Sequence, residues 1–230
     1  MQTALFWAIS EVSKKTFSRY TSSMKIAVIG ANGKSGQAFV EEAVQRGHQV
    51  HAGIFRDRGY GERDNVTYMQ CDATVLEDVE KLVKGCDAVV SLIGHVKGSP
   101  AFLQTTAMTN ILSAMDRYGI RRLVSLTGTG VRDKNDTPSL TDKIVNTAIE
   151  TLDPARIRDG KAHVDVIKKS AVDWTVLRVL KLTDMPYHAY YLTDHGPGTF
   201  VSRASVAAAI VNILVDGLHK KSMPIVSRNP

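Results

Sequence analysis

Residues 25–29, KIAVI, form an apolar run that ends abruptly in Gly30-Ala31-Asn32-Gly33-Lys34-Ser35-Gly36. A run of that kind suits a strand buried on both faces of a parallel sheet. A G-x-x-G-x-x-G that follows such a strand and opens a helical pattern is the context in which glycine spacing carries meaning. Gly30 permits the tight turn out of the strand. Gly33 lets a pyrophosphate approach the backbone without meeting a Cβ, and Gly36 lets the next helix pack closely on the sheet. That helix is expected over residues 35–46, with Phe39, Val40, Ala43 and Val44 on one face and Gly47 as its stop. The second strand is expected over residues 49–55. The first N–H groups of the helix and its positive dipole end make an anion site, in which Asn32, Lys34 and Ser35 accompany the three glycines.

The second strand leads into Phe55-Arg56-Asp57-Arg58. In dinucleotide-binding units an acid at this strand end bonds the ribose 2′-hydroxyl of NAD, whereas an Arg suits the 2′-phosphate of NADP. Arg56 therefore points to NADP(H), with Arg58 in support, and Asp57 keeps NAD(H) open. A third strand (66–70) ends at Cys71-Asp72, where Asp72 either lies near the adenine or caps the helix over residues 75–84. A fourth strand (87–93) ends in Gly94-His95. A Gly there lets the diphosphate and ribose of a cofactor pass close, at the edge where open α/β sheets bind ligands.

Further along, a helix is expected from Ser99-Pro100 to Tyr118, carrying Asn110, and a fifth strand over residues 122–127. That strand leads into Thr127-Gly128-Thr129-Gly130. Thr127 is a candidate polar contact with substrate or nicotinamide, or else a strand-end hydroxyl bonding the loop backbone. A polar stretch and a helix (140–151) precede Pro154. A helix (155–170) and a sixth strand (173–179) follow. Residues 180–203 read as a long loop with three tyrosines, two histidines, two prolines and two glycines. A loop of that length after a strand end is expected to act as a substrate wall or lid. A helix over residues 202–216 and a short strand (223–227) complete the chain.

The 230 residues, 43% of them hydrophobic, suffice for one good-sized core; part of the net charge of +6 lies in the N-terminal segment (Lys14, Lys15, Arg19) and the rest is scattered. No nucleic-acid reader motif accompanies that charge, so a small-molecule partner is expected rather than a nucleic acid. Cys71 and Cys86 lack metal-ligand spacing, and no metal is expected. A reducing cytoplasm fits them. No apolar run approaches the length of a membrane span. Residues 1–23 stand apart as an extension, and residues 24–230 form the expected domain: a single doubly wound α/β unit of Rossmann type with a mostly parallel sheet.

The glycine turn, Arg56, Asp72, Ser125-x-Thr127-Gly128, the run KKSAVDWTVLR at residues 168–178 and Val201-Ser202-Arg203-x-Ser205-Val206-Ala207 together resemble the atypical short-chain dehydrogenase/reductases. Within them the chain looks most like the NAD(P)H-binding, NmrA-like and biliverdin-reductase-B/flavin-reductase-like members. That resemblance implies a Rossmann fold over residues 24–227 and a group that mixes reductases, isomerases and non-catalytic sensors. It departs from the wider superfamily at one point. The Tyr-x-x-x-Lys pair, whose Tyr donates the proton, is missing: Lys161 could take the Lys place, but Ile157 stands where the Tyr would be. A flavin- or quinone-like acceptor, which needs mainly stacking geometry, is therefore more plausible than a secondary alcohol. Candidate acids are His95, His163, Tyr187, His188, Tyr190 and Tyr191. The expected activity is NADPH-dependent hydride transfer to a small planar acceptor, with an NADP(H)-binding sensor or scaffold as the alternative. A sugar-nucleotide epimerase is disfavoured by the short region after the sixth strand, which leaves little room for a substrate domain.

Overall fold

The computed structural model describes residues 23–229 apart from 56–58, 96–97, 134–135, 137, 139 and 195–197. Arg56, Asp57, Arg58 and nearly all of the N-terminal extension therefore lie outside the described residues. Among the described residues ten strands and six helices are formed, in the order β1 (Lys25–Ile29), α1 (Lys34–Gln45), β2 (Gln49–Ile54), β3 (Val66–Gln70), α2 (Leu76–Val83), β4 (Ala88–Ser91), α3 (Leu103–Arg117), β5 (Arg122–Gly128), α4 (Leu140–Leu152), α5 (Pro154–Lys169), β6 (Asp173–Val179), β7 (Lys181–Thr183), β8 (Tyr190–Thr193), β9 (Phe200–Ser202), α6 (Arg203–Asp216) and β10 (Ile225–Arg228).

Eight strands make one sheet in the order β3-β2-β1-β4-β5-β6-β10-β8, and β7 and β9 form a separate parallel pair. Every pairing in the large sheet is parallel except the last, β10 with β8. The fold is thus the doubly wound, mostly parallel α/β architecture that the alternation of apolar runs and helical patterns implies. Its central strands carry no polar face. Ile26, Ala27, Val28, Ala88, Val89 and Val90 are all fully buried, because helices cover the sheet on both sides. On one side Phe39, Val40 and Ala43 of α1 pack with Ala207, Ile210 and Ile213 of α6. On the other, Val79 and Leu82 of α2, Met108 and Ile111 of α3 and Val164 and Ile167 of α5 fill the space over the sheet.

From β1 the chain winds outward to β2 and β3, then crosses back to β4 on the other side of β1. The strand order reverses between β1 and β4, and a crevice opens at their carboxyl ends. The register sets Ile29 of β1 beside Ser91 of β4, and Ser91 beside Ser125 of β5. The residues that follow these three strands therefore converge on one edge.

The long loop expected over residues 180–203 is instead partly ordered strand. β7 pairs with β9, and β8 runs antiparallel along β10 with Tyr190 opposite Arg228. These pieces are three or four residues long and gain their order from partners remote in sequence, which no local pattern announces. No helix among the described residues is long and apolar enough to cross a membrane.

Candidate functional site

The glycine turn takes the shape its spacing demands. Gly30 adopts φ +83°, and a Cβ there would press on the Leu92 backbone at 3.2 Å. At Gly36 a Cβ would overlap the Gly30 carbonyl oxygen and lie 2.6 Å from Ala31 Cα, so α1 can sit this close to the turn only with glycine. The first backbone bond of α1 runs from Gln37 N–H to the Gly33 carbonyl at 2.9 Å. The amides of Lys34, Ser35 and Gly36 thus point past the helix start with no acceptor among the described backbone groups. Asn32 contributes its carbonyl to the Gln37 side chain at 3.3 Å.

A cleft of about 400 Å³ runs from Ser35 along this edge. Its floor is Ile93, Gly94 and His95 after β4, and Leu126–Val131 at the end of β5. Arg156, Ile157 and Gly160 of α5 close one side; Leu180, Lys181, Leu182 and Arg203 close the other. Gly94 has open space where a Cβ would be, as close passage of a ligand requires. Gly160 lets α5 approach the end of β5: a Cβ there would meet Val131 Cγ2 at 3.0 Å and Thr127 Oγ1 at 3.5 Å. Thr127 is buried at the foot of the cleft.

His95 is held by a carboxylate that the sequence did not single out. Its Nε2–H donates to Asp159 Oδ2 at 2.7 Å. Asp159 is fully buried on α5 and also accepts from Gln104 N–H at 2.8 Å, Thr105 N–H at 2.9 Å and the Thr105 hydroxyl at 2.6 Å. One side chain thereby caps α3 from another helix and fixes the His95 ring. Burial raises the Asp159 pKa, but the bonds from Thr105, Gln104 and His95 outweigh it and hold the carboxyl below its ordinary value. With Nε2 engaged, Nδ1 is the ring nitrogen left for the cleft. Gln104 Nε2–H bonds the Ile93 carbonyl at 2.8 Å and steadies the end of β4. The same capping moves the start of α3 to Leu103 instead of Ser99-Pro100, after Phe102 in the left-handed region at φ +58°.

Over the glycine turn, Asp184 joins Lys34 Nζ at 2.8 Å and also pairs with Arg203. Arg203 Nε is buried and unpaired at the cleft wall. Open amides, a cationic pair and an orphaned buried donor beside Ser35 are what an anionic diphosphate would satisfy, so the residues present fit a dinucleotide cofactor.

Other expected residues fall elsewhere. Lys161 does not face the cleft. Its side chain is exposed and pairs with Glu150 of α4 at 3.5 Å, one helical turn beyond Ile157. Asp72 accepts from the amide and hydroxyl of Thr74 at 2.9 and 2.7 Å, a turn-forming role ahead of α2. Asn110 donates to the Ala73 carbonyl at 3.0 Å and ties α3 to that turn. His163 is buried behind the cleft between the Ser125 hydroxyl (2.9 Å) and the Gly160 carbonyl (3.4 Å), and burial lowers its pKa. His188 receives Ser202 N–H at 3.0 Å, and Tyr190 receives Asn212 Nδ2–H at 2.6 Å. Tyr187 and Tyr191 are exposed. None of these four side chains reaches the cleft.

A family of NAD(P)H-binding sequences matches residues 30–217, from the first glycine to the end of α6. The chain belongs to this NAD(P)H-binding family. The uncharacterised Bacillus subtilis protein YwnB is 28% identical over 156 residues, which cover 67% of this chain and 70% of that protein. Among solved structures, the Lactococcus lactis oxidoreductase YlbE superposes with TM-score 0.75 at 16% identity over 90% of this chain and 91% of its own. A Veillonella parvula short-chain dehydrogenase/reductase in complex with NADP gives 0.74 at 18% identity, with 90% and 95% covered. A Streptococcus pneumoniae protein described as a candidate NADH-flavin reductase gives 0.71 at 22% identity, with 90% and 100% covered. At these identities the structural likeness establishes the fold. The NAD(P)H-binding family match spans the glycine turn, the cleft and Arg203 together.

Proposed function

We propose that this protein is an NADPH-dependent oxidoreductase that delivers a hydride to a small planar acceptor of quinone or flavin type. The observation that carries this reading is one cleft along the carboxyl edge of the sheet that runs from Ser35, at the helix start with open amides after the glycine turn, to His95, whose ring is held by Asp159. When bound, the reduced nicotinamide supplies the hydride. Asn32, Lys34, Ser35 and the glycines at 30, 33 and 36 hold the diphosphate, and Gly94 lets the ribose pass. Asp72 stands toward the adenine end, and Arg56 selects NADP(H) over NAD(H) by pairing with the 2′-phosphate. The Veillonella likeness supports the nucleotide and the Streptococcus likeness the acceptor class. A cytoplasmic location belongs to the same proposal.

The chain's own chemistry lies at the other end of the cleft. Thr127 offers a hydroxyl to the acceptor or to the carboxamide beside it. His95 can serve as the acid through Nδ1 as negative charge builds on the acceptor, while Asp159 fixes the ring through Nε2. Ile157 gives an apolar wall suited to a flat ring, and closure by Leu180 and Leu182 limits water. Lys161, exposed and paired with Glu150, takes no part in this step.

The test is NADPH oxidation with quinone and riboflavin acceptors. His95→Gln keeps a donor toward Asp159 but carries no titratable proton. It should lower kcat by about 100-fold while NADPH still binds. The apolar Ile157 in the Tyr place supports a second reading, an NADP(H)-binding sensor. NADPH binding without turnover on any acceptor would decide for it.

A further inference from the structure

A second groove, of about 370 Å³, opens between α4 and α5 and shares Gly130 and Ile157 with the main cleft. Its other walls are Arg132, Thr147, Glu150 and Lys161. Arg156 stands on the main-cleft side of the shared wall. Arg132 and Arg156 are both exposed, and neither guanidinium has a carboxylate partner among the described residues. Glu150 is the acid in the groove wall, and it is spoken for by Lys161 at 3.5 Å. Asp153 nearby is engaged in capping α5 through Arg156 N–H at 3.1 Å. Arg132 in the groove and Arg156 in the adjoining cleft are therefore two planar cationic forks, one on each side of the shared Gly130 and Ile157, with unmet valence for an anion.

These cations are misplaced for the cofactor's own phosphates. The glycine turn follows β1, whereas Gly130 follows β5, two strands away or about 10 Å across the sheet. A 2′-phosphate lies farther still, on the β2 side. A flat acceptor stacked against Ile157, however, would project any side chain over Gly130 and into the groove.

We propose that the α4–α5 groove, with the part of the main cleft that adjoins it at Gly130 and Ile157, is a subsite for the anionic tail, carboxylate or phosphate, of the acceptor, read by Arg132 from the groove and Arg156 from the cleft. This rests on the oxidoreductase reading only for the name of its ligand. It makes acceptor charge, rather than ring identity alone, a determinant of specificity.

FMN and riboflavin share one ring system and differ by a phosphate, which makes them matched probes. Quenching of flavin fluorescence, with NADP+ saturating, measures both affinities without turnover. FMN should bind about ten-fold more tightly than riboflavin at low salt, as expected for charge-assisted hydrogen bonds at a partly exposed site. Arg132→Gln with Arg156→Gln should bring the ratio of the two affinities close to one. Added salt should do the same to the wild type. Steady-state kcat/KM for the two flavins, and for naphthoquinone against its sulfonate, provides the second readout. Equal affinities in the wild type, a ratio untouched by the double substitution, or no binding of either charged probe overturns the subsite. Turnover of riboflavin and naphthoquinone without any charge preference would overturn the subsite and leave the oxidoreductase reading standing. A charge preference in binding with no turnover would do the reverse.

Discussion

Asp159→Asn isolates what the buried carboxylate contributes. Asn has nearly the same shape and keeps one oxygen, which can still accept from the amide and hydroxyl of Thr105. The other oxygen becomes NH2 and meets Gln104 N–H, which donates to Asp159 at 2.8 Å, donor against donor. His95 can respond by presenting Nε2 as an acceptor, so that contact survives with the ring tautomer inverted. The remaining cost is one buried amide left unpaired, about 1–3 kcal/mol. Loss of the negative charge at the start of α3 adds about 1 kcal/mol. The variant should be less stable by about 2–4 kcal/mol at neutral pH, read as a lower urea midpoint. The pH dependence has a definite sign. The folded carboxyl is held below its ordinary value. Its stabilisation is therefore fully present above the unfolded Asp pKa and is lost as pH falls through the folded one. Asn cannot titrate, so the gap between wild type and variant should narrow in acid. A gap under about 1 kcal/mol at neutral pH, or one that stays constant into acid, would refute the capping account.

Two further predictions concern the turn and the core. Gly36→Ala should destabilise the fold and abolish nucleotide binding, because the new Cβ would overlap the Gly30 carbonyl oxygen; a wild-type Tm for this variant would contradict the packing. Burial lowers the His163 pKa, so stability is complete above the unfolded His value and declines as pH falls below it, by up to about 1.4 kcal/mol per pH unit. His163→Gln should flatten the wild-type slope in that window; an unchanged slope would place the titration elsewhere.

The sequence made the cofactor half of the site legible because its chemistry is local. Three glycines, one apolar strand and one helix start are contiguous, and each has a short-range reason. The reacting half is not contiguous. Asp159 sits in ARIRDGKAH, which resembles any polar helix, and its partners Gln104 and Thr105 lie 55 and 54 residues earlier. The one local hint is Gly160 beside it, a helix glycine that marks close approach. The four-residue spacing from Ile157 puts Lys161 at the cleft on paper, but Gly160 is the last residue of α5 to line it, and the Lys161 side chain pairs with Glu150 of α4. Tyr187, His188, Tyr190 and Tyr191 belong to a stretch whose shape is set by β10 and α6. Its pairing is non-local, so composition alone suggested a lid. Among the described residues of 180–203, only Leu180, Lys181, Leu182 and, at its far end, Arg203 line the cleft.

On the proposed reading, this cleft binds a dinucleotide through the glycine turn, and Arg56 chooses the phosphorylated form. Titration of the purified protein with NADPH and, separately, NADH, followed by the nucleotide's own fluorescence, tests it directly. The account predicts saturable NADPH binding tighter than NADH binding, with the difference removed by Arg56→Ala. Binding of neither nucleotide would contradict it.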